Sequence, residues 1–177
     1  MRVSVVGSSG SGKTTLGRVL AARTGAPFVE LDAIFHQPGW TQLLEDEFRR
    51  RVTEVTAGDR WVVDGNYGAV RDIVLGRATA VVWLDYPRPL IMARVIRRSA
   101  VRAVTRRELW NGNRERVTSW VNPEHPIRWS WSTFHRRRVE YTARFASPEH
   151  AHLQVVRLSS PRQTRRWLRT IAAEVLD

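Results

Sequence analysis

Gly7-Ser8-Ser9-Gly10-Ser11-Gly12-Lys13-Thr14 reads G-x-x-x-x-G-K-T, the spacing of a phosphate-binding loop. Before it, Arg2-Val3-Ser4-Val5-Val6 is a short β-branched run that reads as a buried strand, and after it Thr14 to Ala22 reads as a helix. Strand, glycine loop and helix N-terminus together aim backbone N–H groups and the positive end of a helix dipole at one anion. The glycines permit positive φ and close approach of a phosphate. Lys13 is the only lysine in the chain; every other long basic side chain is arginine. A compact ammonium therefore stands where it must reach between phosphates as a point charge. The octet predicts binding of a nucleoside triphosphate, ATP, with Gly7 to Thr15 around the phosphates and the Thr14 hydroxyl on Mg²⁺.

Working outward, short apolar runs alternate with helical segments, which predicts an α/β fold with a parallel sheet covered by helices on both faces. Pro27 to Leu31 reads as a second strand ending at Asp32, Arg60 to Val63 as a third ending at Asp64-Gly65, Thr79 to Leu84 as a fourth, and His152 to Leu158 as a fifth. Glu45 to Thr56 reads as a helix, as do a segment opened by Pro87 or Pro89 and running to about Val104, Ser130 to Phe145, and Pro161 to Val175. From Thr105 to about Trp131 no period is sustained. A long irregular insertion in a compact domain reads as a functional lid. The expectation is one three-layer P-loop domain over 1–177, with an arginine-rich helical lid at about 105–138.

The 177 residues suffice for a proper core, and without cysteine neither disulfides nor thiolate metal sites are available. The chain opens on a strand with no signal-peptide pattern and has no run long enough to span a membrane, so a cytoplasmic protein is expected. The formal charge of +12 suits either nucleic acid or a site for polyanionic small molecules.

Ligands in open parallel sheets bind beyond the carboxyl ends of the strands. Asp64 stands there as a carboxylate to orient Mg²⁺, and Asp32 as a group to hold or deprotonate an acceptor hydroxyl; the alternative for each is a cap or turn. Asp85, before Tyr86-Pro87, reads as a turn or cap. Arg94, Arg98 and Arg102 are spaced four apart and share one helical face, where phosphate would relieve their repulsion. Arg106, Arg107, Arg114 and Arg116 sit where a lid would carry them onto the triphosphate. Trp61 and Trp83 read as core, and the tryptophans of the loops as packing or stacking residues.

With these residues in place, the chain resembles the adenylate-kinase-like P-loop kinases, and within them bacterial DNA topology modulation proteins. The closer resemblance rests on Gly7 to Thr14, Leu31-Asp32, Trp61-Val62-Val63-Asp64-Gly65-Asn66-Tyr67, Trp83-Leu84-Asp85, and Glu108-Leu109-Trp110-Asn111-Gly112-Asn113-Arg114-Glu115. It implies a five-stranded parallel sheet in the order 2-3-1-4-5 and a mobile lid. It also implies Mg²⁺ chemistry at Asp64 and contacts of Arg94 and Arg98 with ATP and the transferring phosphate. Asn66-Tyr67-Gly68 departs from the adenylate kinase string at this point, and the monophosphate-binding segment does not match, which argues against AMP as acceptor. Leu31 to His36 is more similar to the acidic acceptor sites of small-molecule kinases such as shikimate kinase.

The leading expectation is an ATP-dependent kinase acting on a nucleotide or small hydroxylated acceptor through Lys13, Asp32, Asp64, Arg94 and Arg98. The alternatives are a nucleic-acid-associated ATPase using Arg136-Arg137-Arg138, and an ATP-binding switch without transfer. No reading head for nucleic acid is visible in the sequence.

Overall fold

The structure is a computed structural model that describes residues 1–105, 108–113 and 125–174. Strands β1 (Arg2–Gly7), β2 (Phe28–Glu30), β3 (Trp61–Asp64), β4 (Ala80–Leu84) and β5 (Gln154–Leu158) form one sheet. Every pairing is parallel and the order is β2-β3-β1-β4-β5, the order the resemblance implies. The helices are α1 (Lys13–Thr24), α2 (Leu31–Phe35), α3 (Glu45–Val55), α4 (Arg71–Arg77), α5 (Arg88–Thr105), α6 (Pro126–Phe145) and α7 (Pro161–Glu174).

The strands alternate their side chains between two cores. Val3 and Val5 of β1, Val62 of β3, and Val82 and Leu84 of β4 meet Leu16 and Leu20 of α1 and Ile91 and Val95 of α5. Val6, Trp61, Val63, Val81 and Trp83 turn to the opposite face, against Leu31, Phe48, Val52, Val74 and Tyr141. A strand buried on both faces needs a continuous apolar run, which is what Trp61-Val62-Val63 supplies. Trp61 is fully buried and Trp83 nearly so, as expected.

Three elements differ from the sequence reading. The second strand stops at Glu30, so Asp32 lies inside the five-residue helix α2. Helix α4 is short and was not anticipated. Helix α6 begins at Pro126 rather than Ser130, because proline is tolerated in a first turn and His125 Nδ1 accepts from the Ile127 amide at 3.4 Å. Residues 126–129 therefore join the helix expected from Ser130, and Ser130, Thr133 and Phe134 are buried. No helix among the described residues is long and apolar enough to cross a membrane.

Register brings the functional strand ends to one edge. Glu30 of β2 stands opposite Asp64 of β3, Val5 of β1 opposite Asp64, and Gly7 opposite Leu84 of β4. The phosphate-loop octet leaves the sheet from the middle of that row.

Candidate active site

The loop from Gly7 to Gly12 is tightened by a bond from the Ser11 amide to the Ser8 carbonyl at 3.1 Å, and the first α1 bond runs from the Leu16 amide to the Gly12 carbonyl at 3.0 Å. Gly12 caps α1 without a side-chain bond, so the first-turn amides keep their capacity for an anion. Gly10 has φ of 84°, and a Cβ there would lie 2.9 Å from the Ile91 carbonyl oxygen and closer still to Val95. Only glycine lets the loop pass this close to α5. Lys13 Nζ approaches the Ser8 carbonyl at 3.4 Å. Burial lowers its pKa, opposed by the nearby charges of Asp64 and Asp32.

Thr14 Oγ1 donates to Asp64 Oδ2 at 2.5 Å. Asp64 is 4% exposed, and its other oxygen, Oδ1, is buried without a hydrogen-bond partner among the described residues. Burial raises the Asp64 pKa, against the pull of Lys13 and the Thr14 bond. A buried carboxylate oxygen left bare beside a threonine hydroxyl is a hard-oxygen pair that fits Mg²⁺, which binds through one or two carboxylates together with substrate phosphates. The two arginines expected at the phosphates reach the loop from α5. Arg94 Nη1 donates to the Ser11 carbonyl at 3.2 Å, and Arg98 Nη2 to Ser9 Oγ at 2.9 Å. Arg102, the third on that face, instead lies over the Trp110 ring at 5.9 Å. Thr15 follows Thr14 on an exposed position of α1. Arg106 and the other lid arginines, Arg107, Arg114 and Arg116, lie outside the described residues.

Asp32 is held by the chain segment after β3. Tyr67 Oη donates to Asp32 Oδ1 at 2.6 Å, and His36 Nε2 lies 3.3 Å from the same hydroxyl. Gly65, with φ of 147°, allows this approach, since a Cβ there would meet the Leu31 side chain at 2.7 Å. Asn66 Nδ2 ties the segment to the Gly7 carbonyl at 2.6 Å. Tyr67 also lines a small, partly open and mostly apolar hollow together with Asn66, Arg71, Tyr141 and Arg144. Neither Arg71 nor Arg144 makes a salt bridge among the described residues. Burial, and then the neighbouring charge of Arg71, lowers the Arg144 pKa.

Several of these residues were not singled out from the sequence. Glu30 is paired with Arg18 at 3.1 Å, and burial, then Asp64, raises its pKa against a bond from Trp110. Asn111 Nδ2 donates to the Ala33 carbonyl at 3.2 Å and to the His36 carbonyl, while Asn113 bonds Gln37 and Trp40 through both ends of its amide at 2.9 and 2.8 Å. The Trp110-Asn111-Gly112-Asn113 string thus fastens the end of α2. Asp85 needs correction: it is no turn or cap residue but a buried carboxylate whose Oδ2 accepts from Arg138 Nε at 3.1 Å and from Arg157 Nε and Nη2 at 2.9 and 2.5 Å. The arginine run is likewise engaged within the fold. Arg136 pairs with Glu140 at 3.4 Å, Arg137 lies over the Trp129 ring at 5.4 Å and acts on Lys13, and Arg138 binds Asp85.

A five-stranded parallel sheet in this order, with a phosphate loop after β1 and arginines from α5 on that loop, defines the adenylate-kinase-like P-loop fold. The sequence pattern of the shikimate kinase family matches residues 9–120. The chain belongs to the shikimate kinase family. A shikimate kinase from Symbiobacterium thermophilum is 38% identical over 100 residues, covering 48% of this chain and 58% of the relative. The chain thus spans under two thirds of that relative's length. Among solved structures, the shikimate kinase from Bacteroides thetaiotaomicron superposes with a TM-score of 0.60 at 15% identity, covering 100% of this chain and 99% of the other. The shikimate kinase from Acinetobacter baumannii in complex with shikimate gives 0.57 at 22% identity, covering 98% and 92%. These two likenesses speak to the fold.

Proposed function

We propose that this protein is an ATP-dependent phosphotransferase that moves the γ-phosphate to a hydroxyl of a small anionic acceptor. One observation carries the reading. At a single sheet edge the phosphate loop meets two carboxylates held in different ways: Asp64 buried against Thr14, and Asp32 held by Tyr67 and His36. Catalysis of phosphoryl transfer is positioning and charge neutralisation, and the residues divide that work. The loop amides and Lys13 hold the phosphates, and Arg94 and Arg98 stand over the transferring group. Thr14 and Asp64 would hold Mg²⁺, which supplies charge neutralisation to the phosphates when bound. Asp32 binds the acceptor hydroxyl and takes its proton as the bond to phosphorus forms. Arg71 and Arg144, beside Tyr67, would favour an anionic group on the acceptor.

Shikimate, a ring carrying both hydroxyls and a carboxylate, is the first candidate acceptor, supported by the names of the relatives. The finer resemblance to DNA topology modulation proteins adds Asn66-Tyr67 and the Trp110 to Asn113 string, of which Tyr67, Asn111 and Asn113 shape the surroundings of Asp32 while Asn66 bonds the loop residue Gly7. Any influence on DNA would then pass through small-molecule phosphorylation, with the protein working in the cytoplasm. The test is ADP production from Mg·ATP across a panel of shikimate, other hydroxy acids, nucleosides and nucleoside monophosphates. Turnover stimulated by one class and lost in Lys13→Ala and Asp32→Ala is the expected result. Turnover indifferent to every acceptor would overturn the proposal in favour of an ATPase or switch.

A further inference from the structure

We propose that Tyr67 and His36 are positioning residues for Asp32: a relay from His36 Nε2–H to Tyr67 Oη–H to Asp32 Oδ1 pins one carboxylate oxygen and presents the other to the acceptor. The inference rests on the role given to Asp32 above and goes beyond it, assigning work to two residues that the kinase reading does not use.

The direction of the relay follows from counting protons. Tyr67 Oη lies 2.6 Å from Asp32 Oδ1 and 3.3 Å from His36 Nε2. A phenol has one proton to give, and an ionised carboxylate only accepts, so the Tyr67 proton goes to Asp32. Toward His36 the hydroxyl must then accept, which places the imidazole proton on Nε2. The other ring nitrogen agrees. His36 Nδ1 is buried and has no hydrogen-bond partner among the described residues. A bare acceptor nitrogen is tolerable there, whereas an N–H would be an orphaned buried donor.

The surroundings keep both groups in these states. Burial and the adjacent Asp32 raise the Tyr67 pKa, so the phenol remains a donor. Burial lowers the His36 pKa below its usual 6.5, against the opposing pull of Asp32, so the ring stays neutral. The other charged groups that face Asp32 are Lys13 at the start of α1, Glu30 of β2 and Asp64 of β3.

Helix α2 is five residues long and offers Asp32 little rigidity of its own. The relay and its supports supply it. The His36 ring is flanked by Phe35, Trp40 and Trp110 at 5.2, 5.4 and 5.9 Å, and its carbonyl accepts from Asn111. The Tyr67 ring packs on Phe35 and Phe48 at 4.6 and 5.2 Å, contacts that a phenylalanine would keep. Tyr67→Phe therefore removes the hydroxyl and little else.

The experiment combines kinetics with a direct view of the proton. In the parent, Tyr67→Phe, His36→Gln and His36→Ala, kcat and both KM values are measured with Mg·ATP and the acceptor found active. His36→Gln keeps an N–H near the Nε2 position. Expected are a loss in kcat of about 10- to 100-fold in Tyr67→Phe and His36→Ala with the KM for ATP unchanged, and near-parental kcat in His36→Gln. Parental kcat in Tyr67→Phe overturns the relay, as does a kcat loss matched by an equal loss of ATP binding. If the parent itself transfers no phosphate, the kinase reading fails, and the relay is decided by ¹⁵N NMR of His36 in the Mg·ATP complex. A neutral Nε2–H tautomer whose resonance moves in Tyr67→Phe supports it, and an Nδ1–H tautomer overturns it.

Discussion

Asp85→Ala offers a quantitative test of how β4, β5 and α6 are held together. The Asp85 side chain is 4% exposed, and one oxygen accepts three N–H groups, two from Arg157 and one from Arg138. Its own amide donates to the Leu158 carbonyl at 2.9 Å, a bond the substitution leaves alone. Removing one partner of a fully buried pair costs about 3–5 kcal/mol because the other charge is stranded. Here the arginine side chains are 49% and 43% exposed, so water can take over much of what Asp85 gave them. Two partly solvated charged partners at about 1–1.5 kcal/mol each leave a loss of about 2–3 kcal/mol. For a chain of this size that lowers the melting temperature by about 4–12 °C. Urea unfolding measured by fluorescence and circular dichroism reads the loss directly. Asp72→Ala is the control, since Asp72 pairs with Arg49 at side-chain exposures of 63% and 37% and should cost under about 1 kcal/mol. A loss at Asp85 no larger than that of the control would refute the reasoning.

Three further outcomes follow from the same geometry. Asp64→Asn can keep the Thr14 bond but loses the carboxylate charge facing Lys13, so it should abolish phosphoryl transfer, and turnover near parental would contradict this. Gly10→Ala places a Cβ against Ile91 and Val95 in a backbone region that costs an ordinary residue about 1–2 kcal/mol, so calorimetry should show Mg·ATP affinity at least about tenfold weaker. Glu47 bonds Arg50 and Arg51, which hold its pKa at about 2 against an ordinary 4.5; its stabilisation is complete above pH 4.5 and lost as pH falls toward 2. Glu47→Gln should therefore flatten the acid limb of a stability–pH curve over that window, and an unchanged limb would count against the ion pairs.

What the sequence made legible was local in nature. The phosphate loop is eight consecutive residues, and Asp64 and Asp32 each close an apolar run. Arg94 and Arg98 share a helix face, and the resemblance singled out this pair, which reaches the loop while Arg102 on the same face does not. The sheet order came from resemblance, and β1, buried on both sides, occupies its centre. Apart from the element bounds of β2 and α6 and the missed α4, what escaped the sequence is long-range. Asp85 looked like a turn residue because its partners lie 53 and 72 positions away. Tyr67 reaches Asp32 across 35 positions, and Asn111 and Asn113 reach the α2 segment across more than 70. None of these pairings leaves a periodic trace. Asn66-Tyr67, which departs from the adenylate kinase string, was nonetheless a visible signal. The departure falls at the residues that bond Gly7 and Asp32. The basic run Arg136 to Arg138 left a nucleic-acid alternative open, and its members make contacts within the fold, to Glu140, Trp129 and Asp85.

The central claim is transfer of phosphate to an acceptor, as distinct from hydrolysis. ³¹P NMR of a reaction containing the protein, Mg·ATP and shikimate, with the other hydroxylated acceptors in parallel, tests it most directly. Transfer gives a new phosphomonoester resonance growing in step with ADP for one acceptor, absent in Lys13→Ala and Asp32→Ala. ADP appearing only with inorganic phosphate, whatever acceptor is present, would contradict it.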